Sequence, residues 1–347
     1  MKLVSGDKKY FFEFLDSITR RDNLAVISHT DLDGIASAVL ITEMLKQKGI
    51  EAKLFDFVNY GKNMFSEIAE ELNRNRINKV YLLDLNESSD YENFGMFNER
   101  FGMFLVDHHP SNSSGKNVIK AETSDCAAFT LYKLGSEKMN LDKWKPLVCA
   151  AMVSDVSYTK DQNFEFIKRV YPKITMSDIH NSSPGELSAT ISSGLIYFKG
   201  KEKMIYDLIL EGRSSELEKY KNIVEEEIQE YMGRYLREAE FFPEKNLYFY
   251  YADTKLDISS IVTTFLSMKQ KEKTFVFVSD IKDEKDYVKV SSRNQSGNVD
   301  LNLLLKTATK DLENASAGGH VKASGGKFMK KDVEKFKENL LNNHIPK

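Results

Sequence analysis

Three apolar runs that each break off at an acid or a histidine constrain this chain more than any other feature. Leu24-Ala25-Val26-Ile27 leads through Ser28 into His29-Thr30-Asp31-Leu32-Asp33-Gly34. Val80-Tyr81-Leu82-Leu83 runs straight into Asp84, and Met103-Phe104-Leu105-Val106 into Asp107-His108-His109-Pro110. Short runs with no polar alternation read as strands covered on both faces, which is the habit of parallel sheets. Lys53–Val58 and Val118–Lys120 are further strand candidates. Helical patterns separate them: Phe11, Phe14, Leu15 and Ile18 within Tyr10–Arg20, a helix from near Ile35 closed by Gly49, and Phe65, Ile68, Ala69 and Leu72 on one face of Met64–Leu72. Strands alternating with helices predict an α/β fold with a parallel sheet. Such sheets bind ligands outside the C-terminal ends of their strands, where these acids and histidines stand.

From Cys126 the pattern turns helical: Cys126–Leu134, Trp144–Val156, then segments through Glu186–Leu210. Asp155 falls inside the second of these, in Ala150-Ala151-Met152-Val153-Ser154-Asp155-Val156. A long charged helix over Ser214–Glu240 follows. Beyond it Leu247–Tyr251, Thr274–Ser279 and Tyr287–Ser292 are β-rich, interleaved with helices near Ile258–Met268, Val299–Thr309 and Lys331–Leu341. These patterns predict a first domain over 1–200, a helical linker over 201–240 and a smaller α/β domain over 241–347, with a cleft between the lobes. A chain of 347 residues with 41% hydrophobic content suits two such domains. Its net charge of −3 provides no global basic field, so a nucleic-acid substrate would be short or held by a local patch. Cys126 and Cys149 lie in apolar helical surroundings and read as core thiols of a reducing compartment. The N-terminus lacks the apolar core of a signal peptide, and no run reaches the length of a membrane span. The expectation is a soluble cytoplasmic protein.

Four points now carry chemistry: His29/Asp31/Asp33, Asp84, Asp107/His108/His109 and Asp155. Singly, Asp84 reads as a helix cap or turn residue, and Asp33-Gly34 as a turn. Asp155 resists that reading, because an acid among apolar residues needs a partner. Together they converge on one edge of the sheet. Clustered carboxylates repel one another and raise one another's pKa values, and a cation removes the conflict. Carboxylate with imidazole and no thiolate suits Mn²⁺ or Mg²⁺ better than Zn²⁺. A carboxylate shared between two ions about 3.5–4 Å apart is the usual construction for phosphoryl chemistry.

His29-x-Asp31-x-Asp33-Gly34, Asp84 after an apolar strand, Asp107-His108-His109 and the downstream Asp155 together resemble the four motifs of the DHH phosphoesterase superfamily. Gly318-Gly319-His320-x-x-Ala323-x-Gly325 resembles the signature of its DHHA1 subfamily, which includes RecJ-like nucleases, nanoRNase-like oligoribonucleases and cyclic-dinucleotide phosphodiesterases. The resemblance implies that His29, Asp31 and Asp84 hold one metal. It implies that Asp33, Asp84, His108 and Asp155 hold the other, with Asp84 bridging. His109 would face the scissile phosphate, and Asp107 would orient an imidazole. In the second domain the Gly318-Gly319-His320 loop would form an anion nest for a terminal phosphate or a base edge. Arg293 would clamp a phosphate, and Ser324-Gly325-Gly326-Lys327 would extend that surface. The segment around Ser124 would cap the helix that starts at Cys126. The implied activity is two-metal hydrolysis of short single-stranded RNA or DNA to nucleoside monophosphates. Hydrolysis of a cyclic dinucleotide of the c-di-AMP type, or of its linear product pApA, is the enzyme alternative. A non-catalytic nucleotide-binding protein on the same fold is the alternative from another class, and a missing ligand position would mark it; here none is missing. A homodimer is left open.

Overall fold

The protein is described by a computed structural model covering residues 3–61, 63–111, 113–282 and 284–342. The chain divides into two compact units, Met1–Lys221 and Asn222–Lys347. The first opens with β1 (Leu3–Ser5) and α1 (Lys8–Ser17). Strict alternation follows: β2 (Leu24–His29), α2 (Leu32–Gln47), β3 (Leu54–Val58), α3 (Met64–Arg74), β4 (Lys79–Leu83), α4 (Tyr91–Arg100) and β5 (Gly102–Asp107), then β6 (Val118–Ala121). Among the described residues these strands form one six-stranded sheet in the order β1-β6-β5-β4-β2-β3. All neighbours are parallel except β1, which runs antiparallel to β6.

The apolar runs are explained by burial on both faces. Val26, Tyr81, Leu83, Phe104 and Val106 face a helical layer that includes α1, α2, α5 (Ala127–Gly135) and α6 (Lys145–Ser154). Their sequence neighbours Ala25, Ile27, Val80, Leu82 and Leu105 point the other way, onto α3 and α4. Successive strand residues alternate faces, so two apolar layers demand an unbroken apolar run. From β2 the chain steps to β3 on one side, then returns to β4 on the other. That reversal opens a crevice outside the C-terminal ends of β2 and β4.

The first unit continues with α7 (Asp161–Val170), α8 (Ser183–Tyr197) and α9 (Glu202–Leu210). The linker expected over 201–240 is divided by the structure. Ile205, Tyr206 and Ile209 of α9 are buried in the first unit's core, and the Tyr206 ring packs on Phe55 and Phe57 at 5.0 and 5.7 Å between centroids. Apolar residues spaced at i, i+1 and i+4 make α9 a core helix, and a free connector would have no such stripe. The boundary between units falls inside α10 (Glu218–Glu238).

The second unit contains β7 (Glu240–Phe242), β8 (Leu247–Ala252), α11 (Ser259–Lys269), β9 (Thr274–Asp280), β10 (Tyr287–Arg293), α12 (Leu301–Thr309), β11 (Ser316–His320), β12 (Ala323–Met329) and α13 (Val333–Asn342). Its sheet has the order β11-β12-β10-β9-β8-β7 and is antiparallel except at β8–β9. Val276, Val278, Val288, Val290 and Phe328 of this sheet pack with Leu301, Leu304, Leu305 and Phe336 from α12 and α13. Among the described residues no helix is long and apolar enough to cross a membrane.

Candidate metal centre

The turn after β2 is built by its own residues. Asp31 caps α2, its Oδ1 accepting from the Gly34 amide at 2.9 Å, so the helix starts at Leu32 instead of near Ile35. A Cβ on Gly34 would lie 2.3 Å from the His29 carbonyl oxygen, so only glycine lets helix and strand approach this closely. Asp33 reaches across the fold. Its carboxylate accepts from the amides of Ala127 (2.7 Å) and Ala128 (2.8 Å), capping α5 from 94 positions earlier in the chain. The segment expected to cap that helix does not do so, since Cys126 precedes α5 without a side-chain cap bond. Asp84 leaves β4 with φ at 56°, in the left-handed region that aspartate tolerates better than most residues. Asp155 was expected within a helix but lies just past the end of α6. Val156 after it also has φ at 56°, a costly conformation for a β-branched residue and one that re-aims the chain at this point.

The six expected ligands come together. His29 Nδ1 lies 3.0 Å from Asp31 Oδ2 and 3.8 Å from Asp84 Oδ2. His108 Nε2 faces Asp84 Oδ1 at 3.3 Å, Asp155 Oδ2 at 3.6 Å and Asp33 Oδ2 at 3.9 Å. Three trios result, each with ligand atoms within 4.8 Å of one another: His29/Asp31/Asp84, Asp33/His108/Asp155 and Asp84/His108/His109. Asp84 and His108 each belong to two. His109, expected to face the phosphate, also stands within reach of this ligand set, with Nδ1 at 3.8 Å from Asp84 Oδ1.

The electrostatics of the cluster favour a cation. Burial, then the charges of Asp33, Asp31, Asp107 and Asp155, push the Asp84 carboxyl far above its ordinary value. Burial likewise raises Asp155 and Asp33, with other carboxylates adding to the effect. Asp31 goes the other way. Against the cost of desolvation, the His29 imidazole and the Gly34 amide hold it below the usual carboxylate range. Asp84 Oδ1 is buried and has no hydrogen-bond donor among the described residues. A buried acceptor among repelling carboxylates and imidazoles fits a divalent cation, and this oxygen and nitrogen donor set is that of Mn²⁺ or Mg²⁺.

Sequence reasoning missed three residues around this cluster, Lys120, Glu87 and Tyr60. Asp107 orients an imidazole, and that imidazole belongs to His109: its Oδ1 lies 2.8 Å from His109 Nδ1. Its other oxygen takes the ammonium of Lys120, its register partner on β6. Lys120 also donates to Glu87 Oε2 at 2.5 Å and to the His109 carbonyl at 3.2 Å. The side chains of Asp107, Lys120 and Glu87 are all buried. Burial opposes the charge on Asp107, but the His109 hydrogen bond and the Lys120 ammonium outweigh it and pull this carboxyl down to about 2. The signal was present in Val118-Ile119-Lys120-Ala121, where a lone lysine interrupts a buried strand beside one that ends in acid. The last feature, Tyr60, stacks on His29 and meets His109. It carried no signal beyond its place just after β3, on the same edge of the sheet.

In the second unit the expected substrate residues share one corner of the sheet. The glycine-rich segment is not a loop: Gly318 and Gly319 lie in β11, opposite Gly325 and Ser324 of β12. Small residues on both strands allow the close pairing. At Gly319, φ is 146° and a Cβ would fall 2.5 Å from the Ala323 carbonyl oxygen. Arg293, Ala323 and His320 stand side by side across β10, β12 and β11. The Arg293 guanidinium donates to Thr264 Oγ1 (3.2 Å), Ser260 Oγ (2.8 Å) and the Ser292 carbonyl (2.9 Å). Among the described residues no carboxylate pairs with it. Lys327 turns instead to Glu284.

Comparison with known proteins agrees with these two halves. The model of the DHH family, N-terminal domain, matches residues 23–193, and the DHHA1 domain matches residues 244–343. No curated protein matches the sequence. Among solved structures the chain is similar to an exonuclease RecJ bound to manganese, at 14% identity and a TM-score of 0.72 over 96% of this chain and 92% of that one. It is also similar to RecJ from Thermus thermophilus in complex with Mn²⁺, at 14% identity and a TM-score of 0.71, where 96% of this chain spans about half (53%) of the other. An exopolyphosphatase-related protein from Bacteroides fragilis aligns at 15% identity and a TM-score of 0.58, over 96% of this chain and 95% of that one. With a DHH domain that carries the clustered acids and histidines and a DHHA1 domain that carries the glycine-rich hairpin, the chain belongs to the DHH/DHHA1 family of phosphoesterases.

Proposed function

We propose that this chain is a metal-dependent phosphodiesterase that hydrolyses short oligonucleotides to nucleoside monophosphates. His29, Asp31 and Asp84 would hold one divalent ion, and Asp33, Asp84, His108 and Asp155 a second. The observation that carries this reading is Asp84: it belongs to two metal-capable trios, and its buried Oδ1 has no donor among the described residues. Bound divalent ions would supply an activated water and neutralise charge that gathers on phosphoryl oxygens. The chain's own groups do the rest. Asp107 and Lys120 fix His109, whose imidazole would face the scissile phosphate. Asp31 and Asp33 commit part of their hydrogen-bonding capacity to the amides of Gly34, Ala127 and Ala128, which locks their carboxylates in place. In the second unit, Arg293 is a half-buried cation without an acidic partner among the described residues, a chemistry suited to holding a phosphate. The net charge of −3 favours short substrates over long ones. The exonuclease activity named for one of the structural neighbours points the same way.

The deciding experiment is turnover with Mn²⁺ or Mg²⁺ on labelled RNA and DNA, from dinucleotides to long strands, with cyclic dinucleotides alongside. Short linear substrates should be cut fastest. Cleavage of cyclic dinucleotides or pApA alone would move the reading to that substrate class. Failure on every substrate would leave a nucleotide-binding protein on the same fold. Asp84→Ala should abolish turnover while preserving the circular dichroism of the fold.

A further inference from the structure

The chain leaves β3 at Val58, the register partner of His29, so the next residues emerge beside that imidazole. Tyr60 lies flat on it, with ring centroids 4.1 Å apart and planes 5° from parallel. A ring held face to face cannot tilt, so this stack fixes the plane in which His29 Nδ1 reaches toward Asp31 and Asp84. The Tyr60 hydroxyl has two further contacts, the Asp84 carbonyl oxygen at 3.2 Å and His109 Nε2 at 3.1 Å. A carbonyl can only accept, so the phenolic hydrogen serves Asp84 and the hydroxyl lone pairs remain for His109. Asp84 is held in the left-handed region, so this bond pins the strained turn that aims its carboxylate. His109 is gripped at both nitrogens, by Asp107 on Nδ1 and by Tyr60 on Nε2. The tyrosine ring itself packs against the buried cluster that α3 and α4 form with this face of the sheet. A phenylalanine would fill that place equally well, so packing does not account for the hydroxyl.

We propose that Tyr60 is a positioning residue for this centre: its ring orients His29 for the metal, and its hydroxyl fixes His109 and the Asp84 turn. The proposal rests on the phosphodiesterase reading for its kinetic part only. Its test uses the full chain and two variants. Tyr60→Phe keeps the stack and removes the hydroxyl. Mn²⁺ affinity, read by electron paramagnetic resonance titration, should stay within about twofold, while kcat falls about 10–100-fold, as for removal of other residues that orient a ligand, with KM nearly unchanged. The ¹⁵N resonance of His109 Nε2 should shift. Tyr60→Leu removes the stack as well, and Mn²⁺ affinity should fall by about tenfold or more. Unchanged kcat in Tyr60→Phe, or a gain in kcat/KM showing that the hydroxyl obstructs substrate, would overturn the hydroxyl role. Unchanged Mn²⁺ affinity in Tyr60→Leu would overturn the ring's role. If the wild type hydrolyses nothing, the phosphodiesterase reading fails, while the Mn²⁺ titration of Tyr60→Leu and the His109 resonance in Tyr60→Phe still decide the two roles of Tyr60.

Discussion

The two ends of the first sheet differ in how far the chain satisfies their carboxylates. At the N-terminal end, Asp22 accepts from the Thr19 amide and hydroxyl (2.8 and 2.9 Å), from Asn78 Nδ2 (2.8 Å) and from Lys79 Nζ (3.3 Å). The Asn23 amide donates to Asn78 Oδ1 at 2.7 Å, so β2 and β4 are stitched together where they begin. These bonds, the Thr19 amide foremost, overcome desolvation and hold Asp22 at about 2. At the C-terminal end Asp31 and Asp107 are also held low by partners in the chain, but Asp84, Asp33 and Asp155 are pushed upward, and an oxygen of Asp84 has no donor among the described residues. The strands are the same; only the company of the acids differs. One end is satisfied by the chain alone, and the other gathers acids that repel one another and suit a cation. The distinction separates acids that hold a fold from acids that hold a ligand, a division of labour that trades stability for function.

Substitutions that exchange the two behaviours put this contrast at risk. The largest effect is expected from Asp84→Asn. Turnover should fall by more than the roughly 10–100-fold typical of residues that only support a ligand. The metal-free variant should nonetheless unfold later than wild type, by about 0.5–2 kcal/mol, because a repelling buried charge is gone. Thermal unfolding in chelator checks this, and a lower midpoint would break the contrast. Lys120→Met comes next. It leaves the buried carboxylates of Asp107 and Glu87 without their cation and should cost about 3–5 kcal/mol in denaturant unfolding. Adding Mn²⁺ to wild type at 100 times its dissociation constant should raise stability by about 2.7 kcal/mol, a gain absent from Asp84→Asn. The smallest change in turnover belongs to the satisfied end. Asp22→Ala should cost roughly 1.5–3 kcal/mol and leave turnover untouched. Because the folded value of Asp22 lies below its free value of 3.8, its stabilisation is complete above pH 3.8 and is lost as pH falls through about 2. Acid titration of the variant should lack that part of the transition.

The acids at the strand ends were legible because burial on both faces leaves no polar residue inside β4 and β5, so Asp84 and Asp107 stand out where the strands stop. The parallel pairing in the first domain followed from the same runs. What stayed hidden depends on distance in the chain. Asp33 caps a helix 94 residues on, and Tyr60 is placed only by the pairing of β2 with β3. Lys120 could have been suspected as a charge inside an apolar strand, but its partners could not be named before β5 and β6 were adjacent. The glycine-rich hairpin misled because glycine marks a turn and a tight strand pairing with the same letter. Helix α9 misled because its charges at Glu202, Lys203 and Asp207 resemble those of the connector that follows, while its buried face is only three residues wide.

The bond from Asp33 to the start of α5 makes two backbone amides listeners. Ala127 and Ala128 donate to the two oxygens of the carboxylate that stands in one trio with His108 and Asp155. Any ion that draws electron density from Asp33 weakens those bonds without touching the helix. The amide proton resonances of Ala127 and Ala128, far from the motif in sequence, would therefore move as the centre fills, giving an occupancy signal that needs neither a substrate nor a paramagnetic metal.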